Sequence, residues 1–224
     1  IQYIEIEGIR AELVNNPADI PNLIRTGRIP VLVDPQADLL DILKPQVLVD
    51  GRMLKLAPET VYPASWMILG LGPGFVAGIN CDAAVETQRG PFLGRVIWDG
   101  SPKADTGQPE QVDNLTGERV IRAPDTGILE AYVSIGDIVE SSVVLAVVNG
   151  TPVIAQFRGV MRGMLRSGQP VVRGMKIGDL DPRCDPSLCS VVSDKALAIG
   201  GGVLEAILSI PRLRQAYAKT HSIN

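Results

Sequence analysis

Ala123-Pro124-Asp125-Thr126-Gly127 and Ala155-Gln156-Phe157-Arg158-Gly159 open two copies of one pattern, 32 residues apart. Downstream, Gly136 recurs as Gly168, Val139 as Val171 and Leu145 as Ile177 at the same offset. Each copy reads as a turn, a strand, a glycine turn followed by Asp137 or Gln169, and a β-branched strand. A unit this short cannot bury a hydrophobic face alone, so two copies imply a shared core. The pattern predicts a biotinyl/lipoyl-type barrel-sandwich domain over residues 119–183, two interlocked hairpin layers around one interior. Carrier domains of that shape present a lysine on the hairpin joining the halves. The joint here, Val147-Val148-Asn149-Gly150-Thr151-Pro152-Val153, has none. No biotin or lipoate attachment is expected.

Working outward, the chain has 224 residues with 46% apolar and 21% charged content, values of a globular protein with one or two cores. Aromatics are sparse at 4%, while 23 glycines and 17 prolines favour turn-rich β structure. The net charge of −4 divides unevenly, −6 over residues 1–120 and +2 over the rest. Neither part has the basic footprint of a nucleic-acid binder. No uninterrupted apolar run of about 18 residues predicts a membrane span. Three cysteines suit a reducing compartment better than a disulfide framework, so a cytoplasmic location is expected.

Residues 1–100 alternate strand and helix patterns, predicting a Rossmann-like parallel α/β domain. Ile29–Asp34 and Val47–Asp50 are short apolar runs flanking Ala37–Lys44, which has helical spacing; together they predict a βαβ unit with a parallel strand pair. Trp66–Leu69 is a third strand, and Ala83–Glu86 and Arg95–Trp98 are two more. Residues 101–118 are polar, broken by Pro and Gly, and are expected to be a linker or long loop. Residues 184–224 form a C-terminal helical segment, with Ser193 as N-cap and Gly200-Gly201-Gly202 interrupting the pattern.

If the early strands are parallel, Asp34, Asp50 with Arg52, and the loop Gly70-Leu71-Gly72-Pro73-Gly74-Phe75 share one strand-end edge, where open α/β sheets bind ligands. Glycine backbone there can bind an anion, or the same glycines can simply build a tight turn. Glu86 and Arg89 can clamp a ligand or form a solvated ion pair. Arg158, Arg162, Arg166 and Arg173 occur only in the second repeat, an addition to the shared pattern. Cys189 lies just before Ser193-Asp194-Lys195, so a helix start and an ammonium can favour its thiolate. The one histidine, His221, leaves neither a Ser-His-Asp set nor a zinc site without carboxylates, and no metal site is expected. The glycines at 200–202 either let a backbone approach closely or restart the helix with free N–H groups.

Four motifs stand in order: Leu69-Gly70-Leu71-Gly72-Pro73-Gly74-Phe75, Val85-Glu86-Thr87-Gln88-Arg89-Gly90, Leu93-Gly94-Arg95-Val96-Ile97-Trp98, and residues 193–206 from Ser193 to Ala206. Through them the chain resembles the selenium-dependent molybdenum hydroxylase system proteins, a family of molybdenum hydroxylase accessory proteins. It departs from them in lacking a Gly-rich, dinucleotide-type start, and in having Pro91-Phe92 where the family tends to place a histidine. The resemblance implies a maturation factor that handles or inserts the molybdenum cofactor. A molybdopterin-type or nucleotide ligand is implied at Asp50, Arg52, Gly70, Gly72, Gly74, Phe75, Glu86, Arg89, Lys195, Gly200, Gly201 and Gly202. Its partners would be the hydroxylase or its cofactor-maturation proteins, and a homo-oligomer is compatible with this. The alternatives are a sulfur or selenium transferase with Cys189 as catalytic nucleophile, and a non-catalytic assembly module.

Overall fold

The computed structural model describes residues 3–59, 66–105 and 117–220 of the chain. The chain divides into two compact units, residues 1–106 with 192–224, and residues 107–191. The segment expected as a separate 184–224 piece is therefore divided. Its first eight residues belong with the repeat and the remainder with the α/β unit. Of the expected linker, residues 106–116 lie outside the described residues, while Lys103 is tied into the first unit through its N–H to Glu86.

In the first unit, β1 (Tyr3–Ile6) and β2 (Ile9–Leu13) form a hairpin across Glu7 and Gly8. Both turn residues have positive φ, 51° and 77°, the requirement of a two-residue turn matched to strand twist. Asn16 caps the turn at Pro17–Asp19 that leads into α1 (Ile20–Arg25), and β3 (Ile29–Val31) returns parallel to β2. Ile20 and Leu23 of α1 bury against Val14 and Leu32.

A second sheet has the order β4 (Val47–Asp50), β5 (Met67–Leu71), β6 (Ala83–Val85), β7 (Val96–Ile97). The first three strands are parallel and β7 is antiparallel. This corrects the predicted βαβ pair: β3 takes β2 as its parallel neighbour, and β4 takes β5. Met67 to Gly70 are all buried, and a strand covered on both faces is the strongest partner the unit offers. The helix predicted over Ala37–Lys44 shrinks to one turn, α2 (Leu40–Leu43). Ala37 and Lys44 stand at φ 60° and 42°, outside helical geometry at both ends. Asp34 accepts the N–H groups of Asp38 and Leu39, so it organises this turn and does not join Asp50.

The helices α3 (Asp194–Ser209) and α4 (Pro211–Thr220) complete the unit. Ala206 and Leu213 pack with Met67, Leu69 and Ala83, while Ile68 and Ala84 face Phe75, Ala77 and Cys81. No single helix among the described residues is long and apolar enough to cross a membrane.

The second unit carries β8 (Val120–Arg122), β9 (Gly127–Ala131), β10 (Ile138–Val139), β11 (Val144–Val148), β12 (Thr151–Ile154), β13 (Gly159–Met164), β14 (Pro170–Val171) and β15 (Lys176–Asp181). Two four-stranded sheets form, β10-β13-β15-β8 and β12-β11-β9-β14. Each mixes the copies: Ile138 pairs with Val160, and Pro170 with Ile128, the same contact seen from the other repeat. The backbone bonds follow suit, Gly136 N–H to Met161 carbonyl and Gly168 N–H to Leu129 carbonyl, both 32 residues apart in register. Ala123 with Ala155, Leu129 with Met161, and Val139 with Val171 all sit in one core. Two open sheets enclose that core, and among the described strands the ladders do not close into a barrel. The joining hairpin turns on Asn149 and Gly150 at φ 51° and 76°. Asn149 donates its amide to Asp125, whose carboxyl it holds below the usual range together with the Thr126 N–H.

Candidate functional site

The strand-end edge gathers part of the predicted constellation. Asp50 is 5% exposed at the end of β4, and its carboxylate receives the N–H of Arg52 at 3.2 Å and the Arg52 guanidinium at 2.5–3.1 Å. In β5, a side chain at Gly70 would collide with the ring of buried Phe75. Gly72 has φ +102°, and a Cβ on Gly74 would run into the carbonyls of Leu56 and, at 2.9 Å, Leu54. The loop's donors are used internally. The N–H of Gly74 goes to Leu54 carbonyl, that of Phe75 to Gly72 carbonyl, and that of Val76 to the Asn80 side chain. These glycines are thus required by close packing, and the N–H groups expected to face an anion face the protein instead.

The second group comes together more openly. Glu86 is 3% exposed; one carboxylate oxygen accepts the Gln88 N–H at 2.7 Å and the other the Lys103 N–H at 2.9 Å. Glu86 N–H bonds Arg95 carbonyl and Gly94 N–H bonds Glu86 carbonyl, which closes residues 86–95 into a loop between β6 and β7. Glu86 therefore shapes that loop and does not clamp a ligand with Arg89. Arg89 reaches instead to Asp194 at the start of α3, with Nη2 at 2.7 Å from Oδ1.

Ser193 caps α3 by accepting the Ala196 N–H at 3.1 Å, as its position predicted. The helix runs unbroken through Gly200-Gly201-Gly202, which decides between the two sequence readings in favour of close approach. A Cβ on Gly202 would overlap the carbonyl of Gly94, and a Cβ on Gly94 would overlap the carbonyl of Ala198. Loop and helix backbones touch there because both positions lack side chains. Gly200 and Gly201 differ, with open space where their Cβ atoms would be.

Beside this contact lies an open cleft of about 560 Å³. Its lining includes Gly201 and Gly202, the apolar Pro91 and Leu93, and the charged Arg95 and Glu205. The guanidinium of Arg95 and the ammonium of Lys103 lie 5.6 Å and 4.8 Å from the ring centre of Phe92, next in sequence to two lining residues. Bare helix backbone, a small apolar wall and nearby cations suit a flat ligand carrying negative charge. Lys195 sits one turn before Ala198 on the same helix, half-buried.

The thiols do not join this cleft. Cys189 closes the short turn Pro186–Cys189 in the second unit, whereas Ser193 and Lys195 belong to the first. Its Sγ lies 3.6 Å from the Met161 carbonyl, to which the thiol donates. Cys184 donates to Pro182 carbonyl at 3.3 Å from a backbone at φ 54°. Burial pushes the Cys81 thiol up to about 11. Of the second-repeat arginines, Arg158 pairs with Glu140, and Arg162 with Asp181.

Asp181 was not singled out from sequence, yet it is the most enclosed carboxylate described. At 0% exposure it receives the Arg183 N–H and guanidinium at 2.6–3.0 Å, with Arg162 at 3.3 Å and Arg119 at 3.7 Å. The Arg183 hydrogen bond foremost holds its carboxyl well below the usual carboxylate range. Asp181-Pro182-Arg183 repeats the spacing of Asp50-Gly51-Arg52, each after a strand, and that echo is the signal that could have found it.

No family model matches the chain. A curated relative, the uncharacterized protein YqeB of Escherichia coli (strain K12), is 43% identical over 205 residues. The match takes in 92% of this chain. It takes in 38% of the relative, so the chain spans under two fifths of that protein's length. Among solved structures, an aspartoacylase family protein from Mesorhizobium loti overlaps 29% of this chain and 23% of its own at 23% identity. With a TM-score of 0.28 that likeness carries no argument.

Proposed function

We propose that the protein is a cytoplasmic accessory factor for a molybdenum hydroxylase, selenium-dependent in the family it resembles, and that it handles or inserts the molybdenum cofactor. In this reading the first unit is Rossmann-like and the second a biotinyl/lipoyl-type sandwich without its arm, serving to dock the hydroxylase or a cofactor-maturation protein. The observation that carries the reading is the cleft against α3. Its volume of about 560 Å³ lies within the range of small-molecule sites, roughly 300–1,000 Å³. Its glycine floor admits a planar ring system against bare backbone, and Arg95 and Lys103 supply positive charge for a phosphate group. A molybdopterin-type compound or a nucleotide has both features. Titration calorimetry of the purified protein with molybdopterin and with nucleotides should detect binding to one class. A Gly201→Leu variant, which fills the cleft from a position with open space, should lose that binding while unfolding at an unchanged or higher temperature. If the unaltered protein binds neither class, the reading fails.

The transferase alternative rests on Cys189, whose thiol donates to the Met161 carbonyl in a half-buried position. That bond favours the protonated thiol and gives this alternative less support than the cleft gives the first. Iodoacetamide labelling at graded pH, read site by site by mass spectrometry, separates them. Reaction of Cys189 at neutral pH ahead of Cys184 would favour the transferase.

A further inference from the structure

The alternation of side chains along β1, β2 and β3 sorts the small sheet into two unlike faces. Register places Ile4 opposite Ala11 and Ile6 opposite Ile9, while Ala11 meets Ile29 and Leu13 meets Val31. All seven lie on one face, and all seven are apolar. Ile4, Ile9 and Ile29 are 58%, 53% and 51% exposed, with Val31 and Leu13 at 44% and 39%. The opposite face is polar along its strands. There Arg10 lies over the Tyr3 ring at 3.8 Å, and Glu12 receives Arg10 at 3.4 Å and Arg28 at 3.1 Å. Beyond that network, the same side continues into Val14 and Leu32, where α1 packs. The helix that connects β2 to β3 therefore covers the side opposite the apolar face.

The bare face is unusual in two respects. Seven contiguous apolar side chains, most about half exposed, leave on the order of 500 Å² of apolar surface, at the top of what isolated patches reach. In addition, β2 and β3 form a parallel pair joined through a helix, and sheets of that construction are covered by helices on both faces. We propose that this face is the seat of an amphipathic α-helix supplied by polypeptide beyond the 224 residues, laid across β1–β3 on the side opposite α1. The chemistry of the occupant follows from the face. It needs an apolar stripe with no charge on it, because an unpaired charge set among Ile4, Ile9 and Ile29 would be desolvated without a partner. The matched region is 38% of the Escherichia coli relative, so most of such a relative's length lies outside this region and has room for the helix.

The test uses the full 224-residue chain with and without the unmatched remainder of the Escherichia coli relative co-expressed as a second polypeptide. Ile9→Cys and Ile29→Cys variants are labelled with a maleimide, and each site is followed by mass spectrometry, which separates them from Cys81, Cys184 and Cys189. Alone, both introduced thiols should label rapidly. With the remainder bound, labelling at both should slow at least tenfold, and Ile29→Glu should abolish co-purification while Ile138→Glu, exposed in the other unit, should not. Unchanged labelling, or failure of the remainder to co-purify, overturns the proposal. So does protection in the chain alone at concentrations where sizing shows a dimer, since the occupant would then be a second copy. If Ile29→Glu does not fold, the two cysteine variants still decide the matter.

Discussion

Two glycine-rich stretches of the first unit are spelled alike and do opposite things. In Gly70-x-Gly72-x-Gly74 the space of the absent side chains is taken by Phe75 and by the carbonyls of Leu54 and Leu56. In Gly200-Gly201-Gly202, Gly202 is occupied by the Gly94 carbonyl, but the other two face open space beside a cleft. Glycine in a sequence says that a side chain is unwelcome and does not say what excludes it. When the excluder is the protein's own backbone, the residue is structural. Where nothing within the unit excludes a side chain, a helix still accepts a cost of roughly 1 kcal/mol per glycine relative to alanine, and the reason lies with something that binds.

The largest test of the filled loop is Gly74→Ala. The new methyl would meet two backbone carbonyls, neither of which can rotate away, and the hydrogen bond from Gly74 to Leu54 would be strained with them. We expect a loss of about 3 kcal/mol, the upper part of the range for overpacking, measured by urea unfolding. A change under 0.5 kcal/mol would mean that segment 54–56 yields freely, and the loop could then admit a ligand after all.

Much of this was legible beforehand, and the failures have physical causes. The 32-residue repeat was readable because Ala123/Ala155 and Val139/Val171 keep core volume at equal spacing, and packing is what a sequence records most directly. The pairing of β3 with β2 was not, because a hairpin of exposed strands carries no apolar period that separates it from a loop. Glu86 and Arg89 were both noticed, but as partners. Spacing of three residues said nothing about the backbone N–H groups that take up Glu86, or about Asp194, 105 residues away, that takes up Arg89. Asp181 escaped because burial of a carboxylate depends on three arginines from distant positions, none adjacent in sequence except Arg183.

Acid gives a control that separates the units. The folded Asp181 carboxyl titrates below its unfolded value of about 3.9, so its contribution to stability is complete above that pH. It is then lost as the pH falls toward the folded value. Between pH 5 and 2 the second unit should lose stability progressively, and an Asp181→Asn variant should show a flatter pH dependence from a lower plateau, followed by thermal unfolding. The contacts at Gly74 and Gly202 involve no titrating group, so the penalties of Gly74→Ala and Gly202→Ala should stay constant across that range. A penalty that vanished in acid would show that those contacts depend on a charge.

Gly202→Ala should cost less than Gly74→Ala. The substitution recovers up to ~1 kcal/mol of helix propensity while pressing a methyl against the Gly94 carbonyl, for a net loss of about 1–2 kcal/mol. Relief should come from a shift of the 86–95 loop, so the Arg89–Asp194 pair is the expected reporter. A variant as stable as the parent would mean that the loop is not held to the helix.

The smallest effect is the most telling for function. Gly200→Ala and Gly201→Ala place methyl groups where nothing lies within 4 Å, so no packing is disturbed. Each should raise stability by about 0.5–1 kcal/mol, since alanine loses less backbone entropy on entering a helix. If both gains appear, the fold has no use for these glycines, and their presence beside the cleft points to a ligand or partner that must approach the α3 backbone. Binding should then weaken at Gly201, which lines the cleft, more than at Gly200, which does not. If instead either alanine destabilises the protein, an internal contact excludes the side chain there too. The contrast between the two glycine stretches then disappears, and with it the reason to place a ligand in the cleft.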